Sequence, residues 1–373
     1  MTDSTTSRSL SRRQIVTGGA LALTGSAALA APAIAQGVRT LRMATSWPLS
    51  LGGLGSGAQR VAQSITDASG GRLKVDLYGP GELVAPLAVH DAVMNGEAEM
   101  YHAAEYYWQG KHRGFNFFTT VPLGMTHSEQ AAWISHGGGQ ELWDELNAGY
   151  GVKAFACGST GVQMGGWFDR RIESMDDFQG LTMRMPGLGA QVLATLQANP
   201  VMLPGGGIVE ALFEKSIDAT EWVGPYNDLQ FGFQKLLTTY MYPGFHEPAT
   251  MASTGINLAL WESLAPEDQA LIEMVCEAEM ALMSSDFYGN NGISILQLVD
   301  EFGVRPTRLP DDVWTALAQA SADVVAGVAE DDDLARRIYE SYSGYQRMLG
   351  GAGPISQAEY LSRRSQEDLF QLI

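Results

Sequence analysis

Arg184 ends a short β-prone run, Leu181-Thr182-Met183-Arg184-Met185, and Pro186-Gly187 follows at once. That pattern predicts a strand delivering a permanently charged, planar guanidinium to a strand-to-loop edge, where α/β sheets bind their ligands. A fork so placed could take a carboxylate through two parallel hydrogen bonds, or could close a salt bridge at the surface or between lobes. Three further positions offer oxygen: Gln163 an amide, Glu221 a carboxylate and Trp222 a backbone carbonyl beside a large apolar ring. Hard cations such as Na⁺ and Ca²⁺ suit an all-oxygen set, whereas taken singly Glu221 also reads as a satisfied polar group and Trp222 as core. Tyr107 falls just past a predicted strand at 99–104, so its hydroxyl could donate across a cleft. Trp47, Tyr106 and Phe245 could wall the apolar side of such a cleft or pack in the core. His246 and Glu247 form the nearby pair from which a general base could be drawn.

Other chemical motifs do not assemble. Gly53-Leu54-Gly55-Ser56-Gly57 follows a strand and opens a helix, but Ala58 occupies the last glycine position of a dinucleotide loop, so flexible helix entry is the better reading. His136-Gly137-Gly138-Gly139 resembles an esterase oxyanion run, yet no G-x-S-x-G nucleophile elbow exists. The six histidines (His90, His102, His112, His127, His136, His246) have no zinc-type spacing. Glu330-Asp331-Asp332-Asp333 reads as a solvated cap before a helix. Hydrolase and dehydrogenase chemistry therefore lack their working parts.

The elements that would carry these residues alternate. Strands are expected at 40–47, 73–78 and 99–104 with helices at 56–69 and 86–95, an opening that implies a largely parallel α/β sheet. A second series has strands near 152–157, 181–185, 201–203 and 219–223 with helices at 190–198 and 208–215. Extended segments return at 237–242 and 251–256. From Pro266 the texture is helical, at 266–302, 311–328, 334–348 and 356–372, with Pro266, Glu267 and Asp268 marking the start of the longest helix. The expected fold class is α/β, with two lobes, a cleft between them and long C-terminal helices.

Composition bounds the function. The chain has 373 residues, 45% hydrophobic and 17% charged, enough for about two domains and far from disordered or disulfide-scaffold composition. With 42 acidic and 23 basic residues it offers no broad cationic face to nucleic acid. Residues 1–35 depart from this acidity. Arg8, Arg12 and Arg13 precede an apolar, small-residue run and Ala33-Ile34-Ala35, which reads as an export signal. Ser11-Arg12-Arg13-Gln14-Ile15-Val16 is similar to the twin-arginine type. Cleavage near Gln36 would remove three arginines and one aspartate, taking the net charge from −19 to −21. The remainder reads as a soluble protein of the periplasm. Cys157 and Cys276 are expected as two buried free thiols, although that compartment permits a disulfide.

In combination, Gly158-Ser159-Thr160-Gly161-Val162-Gln163-Met164-Gly165-Gly166-Trp167, Leu181-Thr182-Met183-Arg184-Met185-Pro186-Gly187 and Asp218-Ala219-Thr220-Glu221-Trp222-Val223-Gly224-Pro225 resemble the solute-binding proteins of tripartite ATP-independent periplasmic (TRAP) transporters. The nearest branch is the one that binds 2-oxoacids. Ala44-Thr45-Ser46-Trp47, Tyr106-Tyr107-Trp108-Gln109-Gly110-Lys111 and Tyr242-Pro243-Gly244-Phe245-His246-Glu247-Pro248 extend the likeness over nearly all of the mature chain. The resemblance implies a binding protein and not an enzyme. It would capture a small monocarboxylate, a 2-oxo acid such as pyruvate or else lactate, for delivery to transporter membrane subunits. It implies that Arg184 grips the ligand carboxylate, and that Gln163, Glu221 and Trp222 hold a metal ion, with Gln163 and Trp222 touching the ligand as well. Residues 36–160 with about 257–305 would form one lobe and 161–256 the other. The stretch 306–373 would be a C-terminal helical extension that exchanges between chains in a homodimer.

Charge counting on that reading favours Na⁺. Ligand, Arg184 and Glu221 sum to one negative charge. If Glu247 also reaches the site, as ligand contact and metal ligand, the sum is two and Ca²⁺ fits. A periplasmic enzyme or sensor component using the same cleft, with His246 or Glu247 as base, is the alternative.

Overall fold

The computed structural model describes residues 37–366. The export signal expected at 1–35 and the end of the helix expected at 356–372 lie outside the described residues. Strands β1 (Arg39–Thr45), β2 (Leu73–Tyr78), β3 (Met100–Ala103) and β4 (Val152–Ser159) alternate with helices α1 (Leu54–Ala68), α2 (Val89–Met94), α3 (His127–His136) and α4 (Gly139–Ala148). Shorter strands follow, β5 (Gly166–Phe168), β6 (Thr182–Arg184), β7 (Asn199–Val201), β8 (Ala219–Thr220) and β9 (Thr239–Tyr242). Helices α5 (Gly187–Thr195), α6 (Gly205–Phe213) and α7 (Pro225–Phe231) lie among them. Strand β10 (Met251–Asn257) leads to α8 (Leu258–Glu262) and the 35-residue α9 (Pro266–Asp300). Strand β11 (Pro306–Arg308) and helices α10 (Asp311–Ala326), α11 (Asp333–Leu349) and α12 (Glu359–Gln366) end the described chain. Among the described residues no helix is long and apolar enough to cross a membrane.

Two sheets result, ordered β2-β1-β3-β10-β4 and β11-β9-β5-β8-β6-β7. In the first, β1 runs parallel to β2 and β3 as the opening alternation predicts. Strand β10, however, inserts antiparallel between β3 and β4. The sheet is therefore mixed, and residues 251–256, expected in the second lobe, pair in the first sheet. The helical extension expected from residue 306 is also corrected at its start, because β11 pairs in parallel with β9 of the second sheet. Helix α10 then packs on α5, and α11 packs on α3 and α4, so these two helices cover both lobes of their own chain.

Helix α9 shows how a narrow buried stripe places a long element. Its buried positions, Asp268, Ile272, Cys276, Glu279, Met283, Phe287, Ser294 and Leu298, recur at steps of three, four or seven residues, one line along a 3.6-residue helix. At 1.5 Å per residue the helix is about 50 Å long, and it packs on α1, β4 and α7. Each large apolar side chain so buried stabilises by about 1.5–3 kcal/mol. Arg60 of α1 clamps Glu279 with Nε to Oε2 at 3.0 Å and Nη2 to Oε1 at 2.5 Å. The glycines of the Gly53–Gly57 run are explained locally, because Gly53 has φ 75° and a Cβ on Gly55 would lie 2.2 Å from the Pro48 carbonyl oxygen. They permit the tight entry into α1. Cys157 and Cys276 are buried and unpaired between β4 and α9.

The chain crosses between sheets at 160–165, 243–250 and 301–305. The first two crossovers run side by side and are pinned by backbone hydrogen bonds from Thr160 to Thr250 (3.1 Å), Gln163 to Glu247 (3.1 Å) and Gly244 to Gln163 (3.1 Å). A Cβ on Gly244 would lie 2.8 Å from the carbonyl oxygens of Gln163 and Met164, so only glycine permits the two segments to lie this close.

Candidate functional site

Strands β6 and β8 run parallel and pair Arg184 with Thr220, which brings Arg184 and the following Glu221 to the same, C-terminal, edge of the second sheet. Both side chains are 1% exposed. Arg184 Nη1 donates to Glu221 Oε1, and to the Glu221 carbonyl at 3.2 Å, while Nε donates to the Leu203 carbonyl at 3.1 Å. The guanidinium lies 4.9 Å over the Trp222 ring, a cation–π contact. The salt bridge is thus buried and within one sheet, neither of the surface nor interlobe type. Its cost is a fork already mostly committed through Nε and Nη1, while Nη2 is buried without a partner.

The crossovers bring the rest. His246 Nε2 lies 3.3 Å from Glu221 Oε2, so both oxygens of Glu221 are engaged. Burial opposes protonation of His246, yet the Glu221 contact outweighs it and its pKa rises. Glu247, also buried, accepts from the Thr250 hydroxyl. Burial first, and then the Glu221 charge, push its pKa up to about 7. Glu221, His246 and Glu247 offer ligand atoms within 4.8 Å of one another. Gln163 is 3% exposed. Its Nε2 donates to Thr160 and Thr250, and its Oε1 has no partner. A buried orphan oxygen beside buried carboxylates is what a cation site requires before it is filled.

The first lobe closes over this cluster. Tyr107, on a 3-10 turn after β3, is 8% exposed and packs 5.9 Å from Trp47 and 4.9 Å from Tyr106. Burial raises its pKa, with Arg184 opposing and Glu247 and Glu221 adding, so the phenol lies within the field of the cluster. Trp47 donates Nε1 to His102 Nδ1 at 2.9 Å and meets Trp222 edge-on at 6.4 Å, which joins the two lobes through indole rings. Trp222 Nε1 is buried and unpartnered.

Gln163, Arg184, Glu221, Trp222, Glu247 and Tyr107 are therefore brought together at this edge of the second sheet. Phe245 does not belong with the expected apolar wall. Its ring packs with Met183, Met185 and Leu309 in the core of the second lobe, and it meets His246 edge-on at 5.5 Å. His246, read from sequence only as one option for a base, sits inside the cluster. Thr160 and Thr250 went unread, and the only signal for them was proximity in sequence to Gln163 and Glu247. His136-Gly137-Gly138-Gly139 is the turn joining α3 to α4 and takes no part.

Comparison with known proteins gives the family. Residues 51–332 match the DctP family, bacterial extracellular solute-binding protein, family 7. The monocarboxylate 2-oxoacid-binding periplasmic protein of Nostoc sp. is 36% identical over 319 residues, 86% of this chain and 87% of that protein. A TRAP periplasmic solute binding protein from Pseudoalteromonas atlantica, solved with bound sodium and pyruvate, superposes with a TM-score of 0.85 at 35% identity, covering 87% of this chain and 99% of that one. Another from Bordetella bronchiseptica gives 0.87 at 30% identity, covering 90% and 99%. It was solved as a mixed occupancy dimer with calcium and picolinate in the occupied site. Relatives of this kind are receptors and not enzymes, which removes the alternative of a periplasmic catalyst. The two-lobed α/β fold, the buried polar cluster where the chain crosses between lobes, and these relatives together make the chain a member of the DctP family of bacterial extracellular solute-binding proteins.

Proposed function

We propose that the protein is the periplasmic receptor of a TRAP transporter, taking up a small 2-oxo monocarboxylate such as pyruvate together with a sodium or calcium ion and passing it to the membrane subunits. The observation that carries this is a pair of orphans. Arg184 Nη2, a cationic donor, and Gln163 Oε1, a neutral acceptor, are both buried beside the Glu221–His246–Glu247 cluster. Arg184 binds the carboxylate, Tyr107 donates from the first lobe, and Trp47 and Tyr106 limit the size of the side chain. Glu221, Glu247, the Gln163 amide oxygen and the Trp222 carbonyl hold the cation. When bound, the cation would supply positive charge that accepts oxygens of the ligand, which Arg184, already paired with Glu221, would leave under-neutralised. The relatives that contain sodium with pyruvate and calcium with picolinate support this reading.

Titration of pyruvate into chelator-treated protein, with Na⁺ or Ca²⁺ added back, tests it. Affinity should fall at least about tenfold without either ion, since uncompensated buried charge costs several kcal/mol. Equal affinity with and without both ions would remove the cation from the site.

The lobes are assigned to residues 37–160 with 251–305 and to residues 161–250, and the first two crossovers serve as the hinge. We assign a homodimer as well. The outward face of α9 exposes Met274, Leu282, Tyr288, Ile293 and Leu296, and the C-terminal stretch exposes Ile355 and Tyr360, apolar surface that a second copy would cover. The dimer described for the Bordetella relative supports this. Sedimentation at low concentration should give twice the chain mass, and a single-chain species alone would contradict it.

A further inference from the structure

We infer that Thr250, assisted by Thr160, is a positioning residue that fixes which end of the Gln163 amide faces the site. A hydroxyl has one proton to give and two lone pairs to offer. With Glu247 ionised, as a bound cation would hold it, Thr250 gives its proton to Glu247 Oε2, and Thr160 gives its own to the Gly161 carbonyl at 3.1 Å. Both oxygens can then only accept from Gln163, at 2.6 Å from Thr250 and 3.1 Å from Thr160. Thr160 takes a second donor as well, the Thr250 backbone N–H at 3.3 Å. Two acceptors side by side admit only the NH₂ end of the amide. Turning the amide over would set its oxygen against two oxygens and aim N–H donors at the place proposed for a cation. The carbonyl end is thereby locked outward, which is why Gln163 Oε1 is buried and unpartnered. The Thr250 hydroxyl is spent on Gln163 and Glu247, so it acts through Gln163 and, by the same hydroxyl, holds Glu247.

This rests on the assignment of Gln163 to the cation and the ligand, so the test separates the two. In Thr250→Val the shape is kept and the hydroxyl lost, so the amide is free to turn. Pyruvate affinity measured by calorimetry in Ca²⁺ should weaken about ten- to a hundredfold, the usual loss when a group that orients a metal ligand is removed. Thr250→Ser, which restores the hydroxyl with less packing, should return to within about threefold of the parent. Thermal melting of each variant without ligand reports folding independently of binding. If Thr250→Val does not fold, Thr160→Val removes the other acceptor and serves in its place. Binding by Thr250→Val equal to the parent, or equal impairment in Thr250→Ser, overturns the inference. Gln163→Ala is the control. If it too binds like the parent, the assignment of Gln163 fails and this inference with it. If it is impaired while Thr250→Val is not, only the positioning role fails.

Discussion

Arg184→Ala should abolish pyruvate binding at any concentration relevant to uptake. Breaking a buried hydrogen-bonded charge pair costs about 2–5 kcal/mol in affinity, roughly 30- to several-thousandfold. Here the loss is compounded, because the same guanidinium neutralises Glu221, and both are 1% exposed. Without it, Glu221 keeps only His246 as a charged partner, so the unliganded protein should also lose about 3–5 kcal/mol of stability. Arg184→Lys separates the two effects. The charge remains, but a lysine cannot reach Glu221, the Leu203 carbonyl and the ligand together, since the fixed planar fork is what serves all three. Lysine should therefore rescue much of the melting temperature and little of the affinity. Calorimetry beside a melting curve reads both. Micromolar pyruvate binding by a folded Arg184→Ala protein would show that the carboxylate is held elsewhere.

Glu247→Gln should change which ion the site prefers. The Arg184–Glu221 pair is internally neutral, and Glu247 and the ligand carboxylate add two negative charges, of which a protonated His246 offsets one, in a site whose members are nearly fully buried. Removing the Glu247 charge without changing its shape makes the site one unit less negative, so the balance moves from the divalent ion toward sodium. Charge count is a main determinant of calcium affinity, and one carboxylate fewer should weaken Ca²⁺ by at least about tenfold while Na⁺-dependent pyruvate binding changes much less. Competition of the two ions at fixed pyruvate measures the shift. An unchanged ratio would place Glu247 outside the coordination set and leave it to hold Thr250 alone.

Both effects depend on side chains whose types were readable in advance and whose arrangement was not. Arg184 was placed at a strand end by Pro186-Gly187, and it does end β6. That most of its fork is spent on Glu221 and Leu203 follows from β6 and β8 being parallel neighbours, which no local pattern records. Long elements announced themselves. Helix α9 begins at Pro266 with Glu267 and Asp268 in its first turn, as its start signal requires. Strand β5, Gly166–Phe168, was missed because three fully buried residues have no alternation to show. Helix α3 went unread although Thr126 and Glu129 form a capping box at its start, and α7 went unread although Pro225 occupies its first turn.

The sequence by itself determined the α/β class, the acidity, the oxygen-rich residues with one arginine among them, and through its combined motifs the family. These are properties of residue type, order and short-range periodicity, each carried by a local stretch of chain. Only the tertiary structure decided the antiparallel entry of β10, the removal of Phe245 from the pocket wall, the inclusion of His246, and the threonine pair that orients Gln163. The threonine pair depends on two segments 80 to 90 residues apart, 160–165 and 243–250, lying side by side, and the others on pairings no less remote: β10 with β3 and β4, Phe245 with Met183 and Leu309, and His246 with Glu221. Such pairing is set by how two sheets bury their faces and satisfy their backbone together, and the preferences of either segment alone cannot express it.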